Sequence, residues 1–173
     1  MMWVMTPQTR WLDEQEQAAW RGYVEMQMRL DAQLNRDLQA AAKLSQADYA
    51  VLVQLSEHHL GRMRVLELAR ALGWEKSRLS HQLSRMQTRG LVGRAGCTDD
   101  RRGSFVEITA DGRHTIEDAA PAHVESVRRY LFDHLTQDQI DALEAISRKV
   151  LTQLNTLCDA AIAAECDETA AGA

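Results

Sequence analysis

Residues 66–83 constrain this chain more tightly than any other stretch. They read Leu66-Glu67-Leu68-Ala69-Arg70-Ala71-Leu72-Gly73-Trp74-Glu75-Lys76-Ser77-Arg78-Leu79-Ser80-His81-Gln82-Leu83. Two helical patterns, each too short to persist alone in water, meet at one glycine. Gly73 supplies the positive φ of a tight turn, and Ala69 is small where a second helix must cross closely. Leu68, Leu72, Trp74 and Leu79 are spaced to fill a shared interior. This is the pattern of a helix-turn-helix. Gln82 departs from it, because many such motifs carry an aliphatic residue there; Leu83 stands ready to supply that contact.

The flanking sequence is helical. Two prolines and nine glycines in 173 residues, against abundant Ala, Leu, Gln, Arg and Glu, favour helix throughout. Trp20, Tyr23, Val24, Met28, Leu30, Leu34 and Leu38 recur mostly at separations of three or four, which predicts an amphipathic helix over 13–42. Asp13 before Glu14, Gln15 and Glu16 suits its N-terminus, and Gly22 is expected to weaken or bend it. A helix this long carries more apolar face than a small monomer covers, which predicts a partner chain. Ser45 and Asp48 form a capping-box pattern for a second helix, with Tyr49, Leu52, Val53 and Leu55 on its buried side. Short helices follow over 65–72 and 75–89, the latter with Leu79, Leu83 and Met86 inward and Gly90 at its end.

After Gly90 the apolar period changes to two. Strands are expected over 91–94 and 104–108, joined by a polar turn over 96–103. Thr109 then opens a helix toward 134, with a kink or break near Ala120 because Pro121 lies inside it. Thr136 and Gln139 make a capping box for a last helix to about 164, with Ile140, Leu143, Ile146, Val150, Leu154 and Leu157 along one side. The tail over 165–173 is expected to fray. The fold class is therefore mostly α with a small β-hairpin wing. A winged helix-turn-helix over 44–109 is flanked by dimerisation helices over 11–43 and 110–165, within a single domain of 1–173.

Charge points to the partner. The chain carries a formal −5, yet residues 61–104 hold ten basic residues and four acidic ones. A cationic patch on an acidic body is an electrostatic footprint for a polyanion, here double-stranded DNA. With Leu79, Leu83 and Met86 inward, the opposite face of the second helix presents Arg78, His81, Gln82 and Arg85 to a major groove. Arginine reads guanine and glutamine reads adenine, while Lys76, Ser77 and Ser80 stand where bases or phosphates come within reach. Arg101 and Arg102 at the wing tip suit a narrow minor groove, Asp100 is placed to orient an arginine, and Arg94 is a candidate phosphate contact. A solvated basic face and a hairpin charged for solubility are the blander readings of the same residues.

Other classes fit less well. There is no apolar run of about 18 residues for a membrane span and no basic-then-apolar leader, which predicts a cytoplasmic protein. No Gly-rich phosphate loop, nucleophile–base spacing or metal-ligand cluster is present, so neither an enzyme nor a cofactor or metal is expected. His58, His59, His114, His123 and His134 read as solvated or hydrogen-bonded side chains. Cys97, Cys158 and Cys166 lack Cys-x-x-Cys spacing and read as reduced thiols. Cys97, beside Arg94, Arg101 and Arg102, is the one with a route to redox chemistry. The sequence thus leaves three further readings open: a redox-responsive regulator using Cys97, a winged protein-interaction module, and a nonspecific DNA coater.

Several motifs together resemble the MarR family of winged-helix transcriptional regulators. They are Leu44-Ser45, Leu68-Ala69-Arg70-Ala71-Leu72-Gly73, Arg89-Gly90-Leu91-Val92-x-Arg94 and Asp99-Asp100-Arg101-Arg102. The last is followed by Val106-x-Ile108-Thr109-x-x-Gly112-Arg113. The resemblance implies a homodimer whose terminal helices interleave and whose two winged units grip a palindrome. It also implies repression relieved by a small amphipathic or phenolic ligand. On it, Asp100 and Arg102 match the wing's acid-x-Arg pair, and Lys76, Ser77, Arg78, His81 and Arg85 fall on the recognition helix. A ligand would lie beside the first helix, where Trp20, Tyr23 and Met26 are candidate lining residues; dimer core is the alternative for that stripe. The family's peroxide sensors use a cysteine in the first helix, and no cysteine precedes Cys97 here.

Overall fold

The long amphipathic pattern near the start folds as α1, Glu14–Ala42. The computed structural model describes residues 9–95 and 105–171, with backbone alone for Ala95 and 157–171. Asp13 caps α1: its Oδ1 accepts the Glu16 amide at 2.8 Å, and Glu16 accepts the Asp13 amide at 3.0 Å. Gly22 does not interrupt the helix. At the other end Lys43 turns the chain with φ +56, a left-handed conformation in which a side chain is strained. Helix α2, Gln46–Glu57, starts in the expected capping box of Ser45 and Asp48. Asn35 on α1 adds a second tie, accepting the Gln46 amide at 2.9 Å.

The next elements are β1 (Arg62–Arg64), α3 (Val65–Leu72), α4 (Lys76–Thr88), β2 (Val92–Ala95) and β3 (Phe105–Ile108). The expected two-stranded wing is a three-stranded antiparallel sheet in the order β1-β3-β2. Met63 sits opposite Val106 and is buried between the exposed Arg62 and Arg64, while Arg94 also faces Val106 from β2. Three residues are too few to show a period, so β1 is invisible without its partner strand. Leu44, Leu52, Leu55, Leu68, Leu79, Leu83, Met86 and Val106 are all fully buried and form the centre of one core. That core backs α4 and fixes which side of it faces outward.

Helix α5, Ala110–Tyr130, begins where Thr109 donates its hydroxyl to the Gly90 carbonyl at 2.6 Å and accepts the Gly112 amide at 2.9 Å. A Cβ on Gly112 would lie 2.0 Å from the Leu91 carbonyl oxygen, so only glycine allows this approach. Of the expected kink or break at Pro121, the break does not occur, and α5 runs on through it. It and Glu117 are exposed, so water can satisfy the freed carbonyl, while Ile116, Ala119 and Ser126 hold the buried face. Ser126 donates to Asp37 of α1 at 2.8 Å. His123 stacks on Tyr49 of α2 with ring centroids 4.2 Å apart, and its buried Nδ1 has no hydrogen-bond partner. Burial lowers the His123 pKa below its ordinary value; burial, then the Glu57 charge, raises that of Tyr49.

The chain divides into two compact units, Met1–Val127 and Arg128–Ala173. In the second, α5 ends at Tyr130 rather than near 134, and a single 3-10 turn, Phe132–His134, follows. The Thr136–Gln139 capping box is present, with Thr136 N–H to Gln139 Oε1 at 2.9 Å. Helix α6 then runs Gln137–Ala171, past the expected end at 164. The last stretch is rich in alanine and meets no glycine or proline before Gly172, so nothing local stops the helix. Ile146, Val150, Leu151 and Leu154 on α6 are exposed.

Candidate nucleic-acid interface

The turn between α3 and α4 is built as its sequence demands. Gly73 adopts φ +63, its amide bonds to the Arg70 carbonyl at 3.1 Å, and the Trp74 amide reaches back to Ala69 at 2.9 Å. Leu79, Leu83 and Met86 are fully buried, so Lys76, Ser77, Arg78, His81 and Arg85 are left exposed, with Ser80 half-buried. Arg78, His81 and Arg85 gather around one open concavity of about 600 Å³ that Trp74, Ala47 and Ser84 also line. The Arg78 guanidinium lies over the Trp74 ring, 4.4 Å from its centroid. This stacking leaves the edge of the guanidinium, where its donors lie, free to point outward.

Gln82 requires a correction. It was expected on the exposed face, but it is 3% exposed and points toward α2. It occupies the very position where the motif usually buries an aliphatic side chain, and hydrogen bonds replace apolar contact. Its Nε2 donates to Asp48 Oδ1 at 2.6 Å, and its Oε1 accepts from Arg85 Nη2. Asp48 is itself buried and receives the Ser45 amide at 2.9 Å, the Ser45 hydroxyl at 2.8 Å and Arg89 Nη1 at 2.7 Å. Arg89 also donates to the Lys43 carbonyl at 2.7 Å. Five side chains thus share one network, in which Asp48, bonded to Gln82 and Arg89, knits the start of α2 to α4 and its end. The signal for this was present in the capping acid Asp48, but nothing in the spacing pairs it with a residue 41 positions on.

Arg94 is exposed on β2, outside that concavity. Arg62 and Arg64 were not singled out beforehand as site residues, yet they flank Phe105 at 5.5 and 4.9 Å from its ring on the same sheet. The sequence signal they did carry is charge, since both belong to the basic stretch 61–104. Asp100, Arg101, Arg102 and Cys97 lie outside the described residues. Trp20, Tyr23 and Met26 are exposed on α1, with Trp20 and Tyr23 rings 5.8 Å apart. A shallow hollow beside Trp20 is lined by Val24 and Met28 of the same helix, but not by Tyr23 or Met26. Among the described residues no group of His, Cys, Asp or Glu is arranged to hold a metal ion, and no helix is long and apolar enough to cross a membrane.

A winged helix-turn-helix with this geometry has known counterparts. The family model described as MarR matches residues 44–104. AbsC, a MarR family transcriptional regulator from Streptomyces coelicolor, is 43% identical, with a TM-score of 0.79 over 85% of this chain and 99% of that one. The chain belongs to the MarR family of transcriptional regulators. Sco3205, a second MarR family regulator from Streptomyces coelicolor, was solved in complex with DNA. It is 38% identical, with a TM-score of 0.80 over 84% of this chain and 91% of that one. Among curated relatives, the multiple antibiotic resistance protein MarR of Salmonella typhimurium is 28% identical over 91 residues. Those residues are 53% of this chain, and the chain spans 63% of the length of that MarR protein.

Proposed function

We propose that this MarR-family chain is a sequence-specific DNA-binding repressor acting as a homodimer on a pseudo-palindromic operator. The observation that carries the reading is the outward set of Arg78, His81 and Arg85 on a helix whose other side is locked into the core. On this reading α4 enters the major groove, with Lys76, Ser77, Ser80 and Trp74-backed Arg78 at its leading end. Arg94, Arg62 and Arg64 serve the phosphates beside it, and the wing residues Asp100, Arg101 and Arg102 serve the minor groove. The exposed apolar faces of α1 and α6 serve a second copy, setting two recognition helices about one DNA turn apart, roughly 34 Å. Bound there, the dimer represses by occupying the DNA that transcription needs. A small amphipathic or phenolic ligand beside Trp20, Tyr23 and Met26 releases it by favouring another separation of the two helices. The protein acts in the cytoplasm and does no chemistry on its ligands.

The test is a salt series of duplex titrations. Affinity for the chain's preferred duplex should fall steeply as salt rises, with a log–log slope of about −0.9 per phosphate neutralised, and scrambled duplex should bind far more weakly. A flat salt response would favour a protein partner over DNA, and equal affinity for scrambled duplex would favour a nonspecific coater. Sedimentation at micromolar concentration should give twice the 19.5 kDa of one chain.

A further inference from the structure

The two ends of the Gln82 amide do different work. Asp48 as a carboxylate only accepts, so the amide end 2.6 Å from its Oδ1 is the nitrogen. That leaves Oε1 to accept from Arg85, whose side chain stands at the exposed concavity. Asp48 cannot turn away, because Ser45 and Arg89 hold its other oxygen. A relay therefore runs from a buried carboxylate through a buried amide to an exposed guanidinium.

Resting on the DNA-binding reading above, we propose that Gln82 is a positioning residue for recognition: backed by Asp48, it holds Arg85 in the orientation that meets DNA. Gln82 also satisfies the buried Asp48 Oδ1, a contribution to stability that the melts read separately from recognition. A leucine at position 82 would fill the space and give Arg85 nothing to bond. An untethered arginine on a helix surface samples many rotamers and loses that freedom on docking; a tethered one has lost it already. One of its five N–H donors goes to Gln82, and the other four remain for a base edge or phosphate.

The experiment begins with a duplex selected by the wild-type chain from a random-sequence library. Wild type, Gln82→Leu, Arg85→Ala and the double variant are then titrated against it and all its single-base-pair substitutions, with thermal melts as the folding control. Gln82→Leu should lose roughly five- to tenfold affinity and relax the same base pairs as Arg85→Ala, leaving the rest of the profile unchanged. The double variant should lose no more than Arg85→Ala alone. Asp48→Asn reaches the relay from its other end, frees the amide to flip, and should relax those same positions, which decides the matter if Gln82→Leu does not fold. Additive losses in the double variant, or a Gln82→Leu profile like wild type, would overturn the relay while leaving DNA binding intact. Selection of no preferred duplex by wild type would overturn the DNA-binding reading and the relay with it.

Discussion

Arg78, facing outward from α4, rests on Trp74, the residue immediately after the turn glycine. The indole therefore does two jobs, closing the half-buried edge of the core and supporting a cation that the solvent would otherwise leave mobile. Replacing Arg78 by Ala should cost on the order of 1–3 kcal/mol at the preferred duplex and relax one base position. Trp74→Leu should cost less, about 0.5–1 kcal/mol, with Trp74→Phe recovering most of it because a ring face remains. Equal affinities for wild type and Trp74→Leu would show that Arg78 needs no support.

Arg89 and Asp48 form a different kind of pair. Asp48 is buried and Arg89 is partly exposed, so the two single deletions are not equivalent. Arg89→Ala strands a buried carboxylate without its cation and should lower stability by about 1.5–3 kcal/mol, read as a shift of the urea midpoint. The exposed surface pair Arg148–Glu144 on α6 makes the control, and Arg148→Ala should move the midpoint by less than about 0.5 kcal/mol.

Gly112 is irreplaceable for a steric reason. Gly112→Ala sets a methyl against the Leu91 carbonyl and forces α5 away from the strand it starts beside. The expected cost is about 1–3 kcal/mol, seen as a lower Tm. Gly22→Ala, on the exposed side of α1 with open space around it, should do the reverse and raise Tm slightly.

His123 gives the fold a dependence on acid. Its folded pKa is lowered by burial, so below the ordinary 6.5 the unfolded chain takes up a proton that the folded chain refuses. Stability from this site is complete above pH 6.5 and is lost as pH falls from there toward the folded pKa. His123→Phe keeps a ring against Tyr49 and cannot titrate, so its unfolding free energy should lose less than that of wild type across the same acid range. Parallel curves for the two proteins would remove His123 as the cause.

Much of this was written in the sequence, and what was missed shares a cause. The capping acids Asp13 and Asp48, the turn glycine Gly73 and the inward trio Leu79, Leu83 and Met86 act over three or four residues, a range the chain displays directly. The family motifs around Arg89-Gly90-Leu91-Val92 and the wing extended that reading to fold and class. Gln82 was misplaced because its partner lies on another helix, and an amide looks solvent-seeking until a carboxylate is found behind it. β1 escaped for the same reason, being defined only by β3. Pro121 was read as a kink or a break, since a helix's tolerance for one lost bond depends on which side of it faces water.

Lys43 carries a consequence of its own. The reversal between α1 and α2 is made by a residue without glycine's freedom, and its carbonyl is clasped by an arginine contributed from the far end of α4. The bearing along which the long first helix departs is therefore set by a segment synthesised much later. The two should be gained and lost in a single cooperative event, and loosening α4 would let the long helix swing.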